Sequence, residues 1–254
     1  MLIATFNVNS IRTRLPVITR WLQEKSPDLL FLQETKTQDK DFPALTLAEA
    51  GYKSFYHGEK SYNGVAVLVK DTITGTSITY GFNDGTYPAR VLTLRHKDLT
   101  VLNTYVPQGQ ALNTPAYAEK IEFFAHVRKV IEREMSGLFL WLGDLNVAPE
   151  AIDVTHPETK KNHVCFCDEI RKVFADTKAG LADVFRKFNP EGGVYTFYDY
   201  RVKGAVERNI GWRIDHMLAS ESLAGLALKC SADIEPRTWE RPSDHVPVIA
   251  ELNI

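Results

Sequence analysis

The fold class predicted by this sequence is an α/β sandwich, two mixed β-sheets face to face with helices outside. Two observations lead there. Apolar, β-branched runs alternate with helical segments at both ends of the chain, while short strand-like runs divided by Gly and Asp turns follow one another in the middle. No Gly/Pro/Ser-rich linker, low-complexity tract or short repeat interrupts the pattern, so residues 1–254 read as a single domain.

Leu2 to Phe6 is an apolar run suited to a buried strand. Ile11 to Lys25 carries Ile11, Leu15, Ile18 and Leu22 at spacings of three and four, the mark of an amphipathic helix. Asp28 to Leu32 is a second buried strand, and the intervening helix supplies the crossover that parallel strands need. Tyr52–Tyr56, Val65–Val69, Ile73–Tyr80, Val91–Leu94 and Leu99–Val106 read as antiparallel strands. Pro115 opens a long helix to about Met135, with Ile121, Phe124, Val127, Val130 and Ile131 on one face. Leu138–Leu142 is a further buried strand. A helix from Cys167 to Ala175 and short strands near Val194, Ile214, Leu228 and Val246 complete the expectation.

Composition narrows the function. Thirty Lys and Arg against 32 Asp and Glu exclude binding of nucleic acid by bulk positive charge, though not at a local patch. The longest apolar run, Leu138–Leu142, is far short of a membrane span, and the first residues lack a basic, then apolar, leader. Cys165, Cys167 and Cys230 are too few for a disulfide framework. A cytoplasmic protein without a membrane association is expected.

Polar residues collect where the apolar runs end. Asn7 and Asn9 follow the first strand, Glu34 the second, and Asp144 and Asn146 the Leu138–Leu142 strand. Asp215 lies inside Ile214–Leu218, and Asp244 and His245 precede the last strand. Singly, Gly143-Asp144-Leu145-Asn146 reads as a turn, Glu34 as a solvated strand end, and Ser243-Asp244-His245 as a hydrogen-bonded turn. Together they suggest one polar pocket, because carboxylates are rarely buried unless paired or bound to metal. Asp, Glu and Asn with one His form a ligand set for a hard cation, Mg²⁺ with Mn²⁺ as a substitute, and Mg²⁺ commonly shares its coordination with a substrate phosphate. Zinc held by His163, Cys165 and Cys167 is an alternative, if their alternation places them on one strand face. No nucleophile elbow, phosphate-binding P-loop or dinucleotide fingerprint occurs.

The ordered segments Asn7-Val8-Asn9, Gln33-Glu34-Thr35-Lys36, Tyr62-Asn63-Gly64-Val65-Ala66, Tyr105-Val106-Pro107-Gln108-Gly109, Gly143-Asp144-Leu145-Asn146, Asn209-Ile210-Gly211-Trp212-Arg213-Ile214-Asp215 and Ser243-Asp244-His245-Val246-Pro247 span nearly the whole chain. In that series the sequence resembles the exodeoxyribonuclease III and apurinic/apyrimidinic endonuclease family, within the endonuclease/exonuclease/phosphatase superfamily. The Tyr105–Gly109 segment and Asp199-Tyr200-Arg201-Val202-Lys203-Gly204 look closer to the bacterial exonuclease III type than to the animal endonucleases.

The resemblance implies a four-layer, DNase I-like α/β sandwich and a monomeric Mg²⁺-dependent DNA repair nuclease. Its substrates would be double-stranded DNA with abasic sites, cleaved on the 5′ side, or with blocked 3′ ends, trimmed to a 3′-hydroxyl. It also implies roles. Glu34 would be the main metal ligand, with Asn7, Asp144, Asn146, Asp244 and His245 around the ion. Asp144, oriented by Asn146, would position the attacking water. His245, paired with Asp215, would polarise the phosphate, and Tyr105 would contact it or assist the leaving oxygen. Phe197, Tyr198 and Trp212 would form an apolar pocket for a base-less sugar. Arg12, Arg14, Arg201, Lys203 and Arg208 would contact phosphates. A catalytically silent DNA-binding regulator would show an eroded site, and a phosphoesterase of lipid or inositol headgroups would lack the Tyr-Val-Pro-Gln-Gly segment.

Overall fold

A computed structural model describes residues 1–254. The chain begins with strand β1 (Leu2–Asn7), helix α1 (Ile11–Lys25) and strand β2 (Leu29–Gln33), and β1 and β2 pair in parallel across the α1 crossover. Helix α2 (Ala44–Glu49) leads to β3 (Tyr52–His57) and β4 (Val65–Lys70), which extend the same sheet in antiparallel fashion. The chain then changes sheets. Strands β5 (Thr76–Tyr80), β6 (Val91–His96) and β7 (Leu99–Tyr105) form an antiparallel meander. Helix α3 (Pro115–Glu134) crosses over to β8 (Leu138–Asp144), parallel to β7. Helix α4 (Asp168–Thr177), β9 (Leu181–Asp183), α5 (Val184–Phe188), β10 (Asp215–Ser220), α6 (Glu221–Gly225), β11 (Ala227–Ala232) and β12 (Val248–Leu252) follow. Two six-stranded mixed sheets result, ordered β11-β12-β1-β2-β4-β3 and β5-β6-β7-β8-β10-β9.

Strand alternation builds the layers. Ile3, Leu29, Phe31, Val65 and Val67 face Leu92, Leu94, Val101, Leu140 and Leu142 across the inter-sheet core. Their neighbours Ala4, Phe6, Leu30 and Leu32 point the other way, onto Val17, Ile18, Trp21 and Leu22 of α1. On the second sheet Leu102, Phe139 and Trp141 meet Phe123, Phe124, Val127 and Ile131 of α3 and Ile170 and Phe174 of α4. A strand covered on both faces needs apolar residues at every position. That is why β2 and β8 read as continuous apolar runs.

Helix ends agree with local chemistry. Pro115 takes the first turn of α3, and the Thr114 side chain accepts the Tyr117 N–H at 3.3 Å. No helix is long and apolar enough to cross a membrane. The three cysteines are buried and free.

Three expectations are corrected. No strand forms at Val194; the segment around it is irregular, and Phe197 makes only single bridges to Trp212 and His245. The Ile73 strand begins at Thr76, because Ile73 donates back to the Lys70 carbonyl in a turn and Gly75 has a left-handed backbone. The zinc arrangement fails because residues 161–167 are turns, so the alternation of His163, Cys165 and Cys167 defines no common face.

Candidate active site

Strand direction explains why the polar residues meet. β1, β2, β7 and β8 deliver Asn7, Glu34, Tyr105 and Asp144 from their C-terminal ends. β10 and β12 run antiparallel to β8 and β1, so Asp215 and His245 reach the same rim from N-terminal ends. In register, Asp215 stands opposite Asp144. The result is a cleft of about 640 Å³ whose lining includes Glu34, Tyr105, Asp144, Asn146, Asp244 and His245.

At the floor, the buried Asn7 amide donates from Nδ2 to Glu34 Oε1 and to Asp144 Oδ2, each at 2.8 Å. With carboxylates on both sides the amide must present its NH₂, and its Oδ1 accepts the Asn9 N–H. Asp144 Oδ1 accepts the Asn146 N–H at 3.0 Å. His245 donates from Nδ1 to Asp215 Oδ2 at 2.8 Å, and its Nε2 lies 3.7 Å from Asp144 Oδ2. Glu34, Asp144 and His245 bring potential ligand atoms within 4.8 Å of one another.

Burial and crowding set the charges. Burial, reinforced by Asp215 and Glu34, pushes the Asp144 carboxyl up to about 7, although His245 pulls it down. Burial disfavours the charged imidazolium, yet Asp215 and Asp144 outweigh it and raise His245 to about 10. Glu34 stays below its ordinary value: burial pushes up, while Lys36 and the Asn7 amide pull harder in the other direction. Tyr105 is pushed well above 10 by burial and by the Glu34 and Asp144 carboxylates, so it remains a neutral phenol. Its ring lies under the Arg90 guanidinium, 4.6 Å away.

The backbone is unusual at this rim. Asn9, Glu34, Lys36 and Asn146 all have left-handed φ values, 42°, 53°, 50° and 50°. Such non-glycine residues are uncommon, and their gathering at one site marks strain held by the surrounding structure. Gly143 has φ 131°, and a Cβ there would collide with the Thr104 carbonyl of the neighbouring strand.

The remaining expected residues divide. Asp244 is half-buried at the cleft edge and accepts from Asn9 Nδ2 at 3.0 Å, outside the Glu34–Asp144–His245 group. Asn146 lines the cleft, but its side chain donates to the Val106 carbonyl, so it orients Asp144 through its main chain. Phe197 and Trp212 line the cleft, with the Phe197 ring 4.9 Å from His245. Tyr198 does not: the next residue of an extended segment points away, and its ring packs with Tyr195, Ala205 and Val246. Arg201 borders the cleft, paired with Asp199 at 2.7 Å. Lys203 and Arg208 are exposed beyond it, and Arg12 lies in a separate polar hollow with Ser10 and Arg241. Arg14 is a structural clamp, donating to the Asn9 carbonyl at 2.8 Å and to the Tyr200 hydroxyl at 2.7 Å.

Several roles escaped the sequence reading. Lys36 Nζ reaches Glu34 Oε2 at 2.7 Å and Asn9 Oδ1 at 2.6 Å, a cation already seated among the oxygens. Thr196 Oγ1 accepts the Ile214 and Asp215 N–H groups at 3.1 Å, anchoring the start of β10. Lys160 and His163 flank Trp212, the His163 ring centroid 4.7 Å from it. Lys120 is wholly buried beneath the cleft loops; its position in the stripe Lys120, Phe124, Val127, Ile131 was the available signal.

Fold and site together define a metal-dependent phosphoesterase. Residues 4–245 match the Endonuclease/Exonuclease/phosphatase family, and the chain belongs to that family. It is 33% identical over 265 residues to an exodeoxyribonuclease III of Haemophilus influenzae, covering 98% of each chain. Among solved structures it is similar to an AP endonuclease from Archaeoglobus fulgidus, 40% identical with a TM-score of 0.95 over 100% of both chains. A Neisseria 3′ phosphatase bound to a product DNA hairpin is 35% identical with a TM-score of 0.93, again over 100% of both chains.

Proposed function

We infer that this chain is a hydrolytic DNA repair nuclease that uses Mg²⁺ to cleave phosphodiesters 5′ to abasic sites and to trim 3′ ends. The observation that carries this reading is the convergence of Glu34, Asp144 and the Asp215–His245 pair on one cleft, with Asn7 bridging two of the carboxylates. We read it as a cytoplasmic, single-domain monomer acting on double-stranded DNA.

The donor set fits a hard cation: oxygens dominate, and an ammonium, Lys36 Nζ, already sits against Glu34. Glu34 would be the principal holder, with Asp144 beside it. When bound, the ion supplies charge neutralisation on the phosphate oxygens. His245, kept protonated by Asp215, serves the phosphate as a hydrogen-bond donor from Nε2. Asp144, with its affinity for protons raised to about 7, takes a proton from the attacking water. Tyr105, held neutral, donates its hydroxyl hydrogen towards the leaving oxygen. Phe197 and Trp212 offer apolar faces to a sugar lacking its base.

A labelled duplex carrying one abasic site and one recessed 3′ end tests the reading. Incision beside the abasic site with Mg²⁺ or Mn²⁺, abolished by EDTA, is expected. Absence of metal-dependent cleavage at both places would refute it.

A further inference from the structure

Lys120 is fully buried in α3, where an apolar side chain would complete the helix stripe. Its Nζ donates to the carbonyl oxygens of Asn146 and Val164 at 2.8 Å and of Gln108 at 3.2 Å. Its other polar neighbour is the Cys165 sulfur at 3.9 Å. Three acceptors match the three N–H bonds of the ammonium, and they hold it against burial, which pulls the lysine below its ordinary value. Burying a cation without a carboxylate partner is costly, so its neighbours identify what it holds.

Those carbonyls come from three separate segments. Gln108 lies three residues beyond Tyr105, Asn146 two beyond Asp144, and Val164 between His163 and Cys165; both flanking residues of Val164, like Gln108 and Asn146, line the cleft. Asn146 is held with φ 50°, and its N–H orients Asp144 Oδ1 at 3.0 Å. Gly109 completes the clamp. Its φ is +94°, a conformation strained for any L side chain, and a Cβ there would come within a tight 3.2 Å of Lys120 Cδ, so glycine lets the Tyr-Val-Pro-Gln-Gly loop close over the lysine stem without strain.

We propose that Lys120 is a positioning residue for phosphodiester cleavage: its ammonium locks three cleft loops together and, through the Asn146 main chain, fixes the orientation of Asp144. The proposal rests on the nuclease reading above for its kinetic readout, but the clamp can be measured without turnover.

Lys120→Met keeps the stem and removes the donors. Steady-state incision of abasic duplex should show kcat lowered about 10²-fold, with KM within about threefold of wild type. Hydrogen exchange should accelerate in peptides spanning residues 106–110 and 144–148. Val127→Ala, a core truncation in the same helix, provides the stability-matched control: it should keep kcat and leave exchange in those peptides unchanged. Full kcat or unchanged exchange in folded Lys120→Met overturns the proposal, as does an equal kcat loss in Val127→Ala. If Lys120→Met does not fold, Gly109→Ala decides: lower kcat at constant KM with faster exchange at 144–148 supports the clamp, and wild-type values refute it. A wild-type protein that fails to incise DNA refutes the nuclease reading alone, and exchange still judges the clamp.

Discussion

At the residue scale, the site works by setting opposite proton affinities on neighbouring groups. Asp215 is the lever, because its carboxylate holds His245 protonated up to about 10. With Asp215→Asn the imidazolium loses that partner and its ionisation falls towards the ordinary histidine range. Wild-type kcat should show no histidine-linked loss between about pH 6 and 9. In the variant, activity should decline as pH rises through the lowered His245 value, and a pH–rate profile checks it. Asp144→Asn removes the proton acceptor and should lower kcat by about 10²–10⁴-fold. Glu34→Gln should raise the Mg²⁺ concentration for half-maximal rate by about 10–100-fold, read from a metal titration. These carboxylates were legible in the sequence because Glu34 and Asp144 close apolar runs and Asp215 interrupts one, where an acid has few structural uses. Asn146 was legible only as a residue type: which atom orients Asp144 depends on a left-handed backbone that sequence does not display. Tyr198 misled for a related reason, since one step along an extended chain reverses the face.

At the scale of elements, long periodic segments declared themselves and short ones did not. α1 runs over the expected Ile11–Lys25, and β8 exceeds its apolar run only by Gly143 and Asp144. β9, α5 and α6, with three, five and five residues, have too few positions to show a period. β9 and α5 are placed instead by a buried ionic cluster, and α6 by Leu223 and Ala224 in the inter-sheet core. Arg213 joins Asp153 Oδ1 at 2.5 Å and Asp183 Oδ2 at 2.8 Å, and Arg186 also pairs with Asp153. The cluster ties the 151–153 turn and the start of α5 to the segment entering β10, and so to Asp215. Asp153→Asn strands two cations and should cost about 3–5 kcal/mol in denaturant unfolding. A surface triad behaves differently. Glu134, clamped by Arg95 and Arg133, is held down to about 2, against an ordinary value of 4.5. A lowered carboxyl stabilises the fold above its unfolded value and loses that contribution as pH falls through the folded one. The Tm gap between wild type and Glu134→Gln should therefore be present at pH 7 and close between pH 4.5 and about 2.

At the scale of the whole molecule, the net charge of −2 conceals a division of labour. Glu34, Asp144, Asp215 and Asp244 are withdrawn to one rim, buried or half-buried, where Lys36 and His245 offset them, as a metal would when bound. Cations at or beyond the cleft mouth face a phosphate backbone: Lys160 beside Trp212, Arg201 at the edge, where DNA would compete with its Asp199 partner, and Lys203 and Arg208 farther out. Affinity for duplex should then follow this local strip and not the net charge. Each phosphate neutralised releases condensed counterions, so log affinity falls against log salt with a slope of about −0.9 per contact. Four such side chains predict a slope of roughly −3 to −4. Fluorescence anisotropy of an abasic duplex in EDTA, where cleavage is blocked, measures it between about 50 and 200 mM salt. Arg201→Ala should weaken binding to damaged and undamaged duplex alike and flatten the slope by about one, because a phosphate contact carries no sequence information. A salt-independent affinity, or an Arg201→Ala effect confined to the abasic duplex, would mean that the cleft alone holds the DNA.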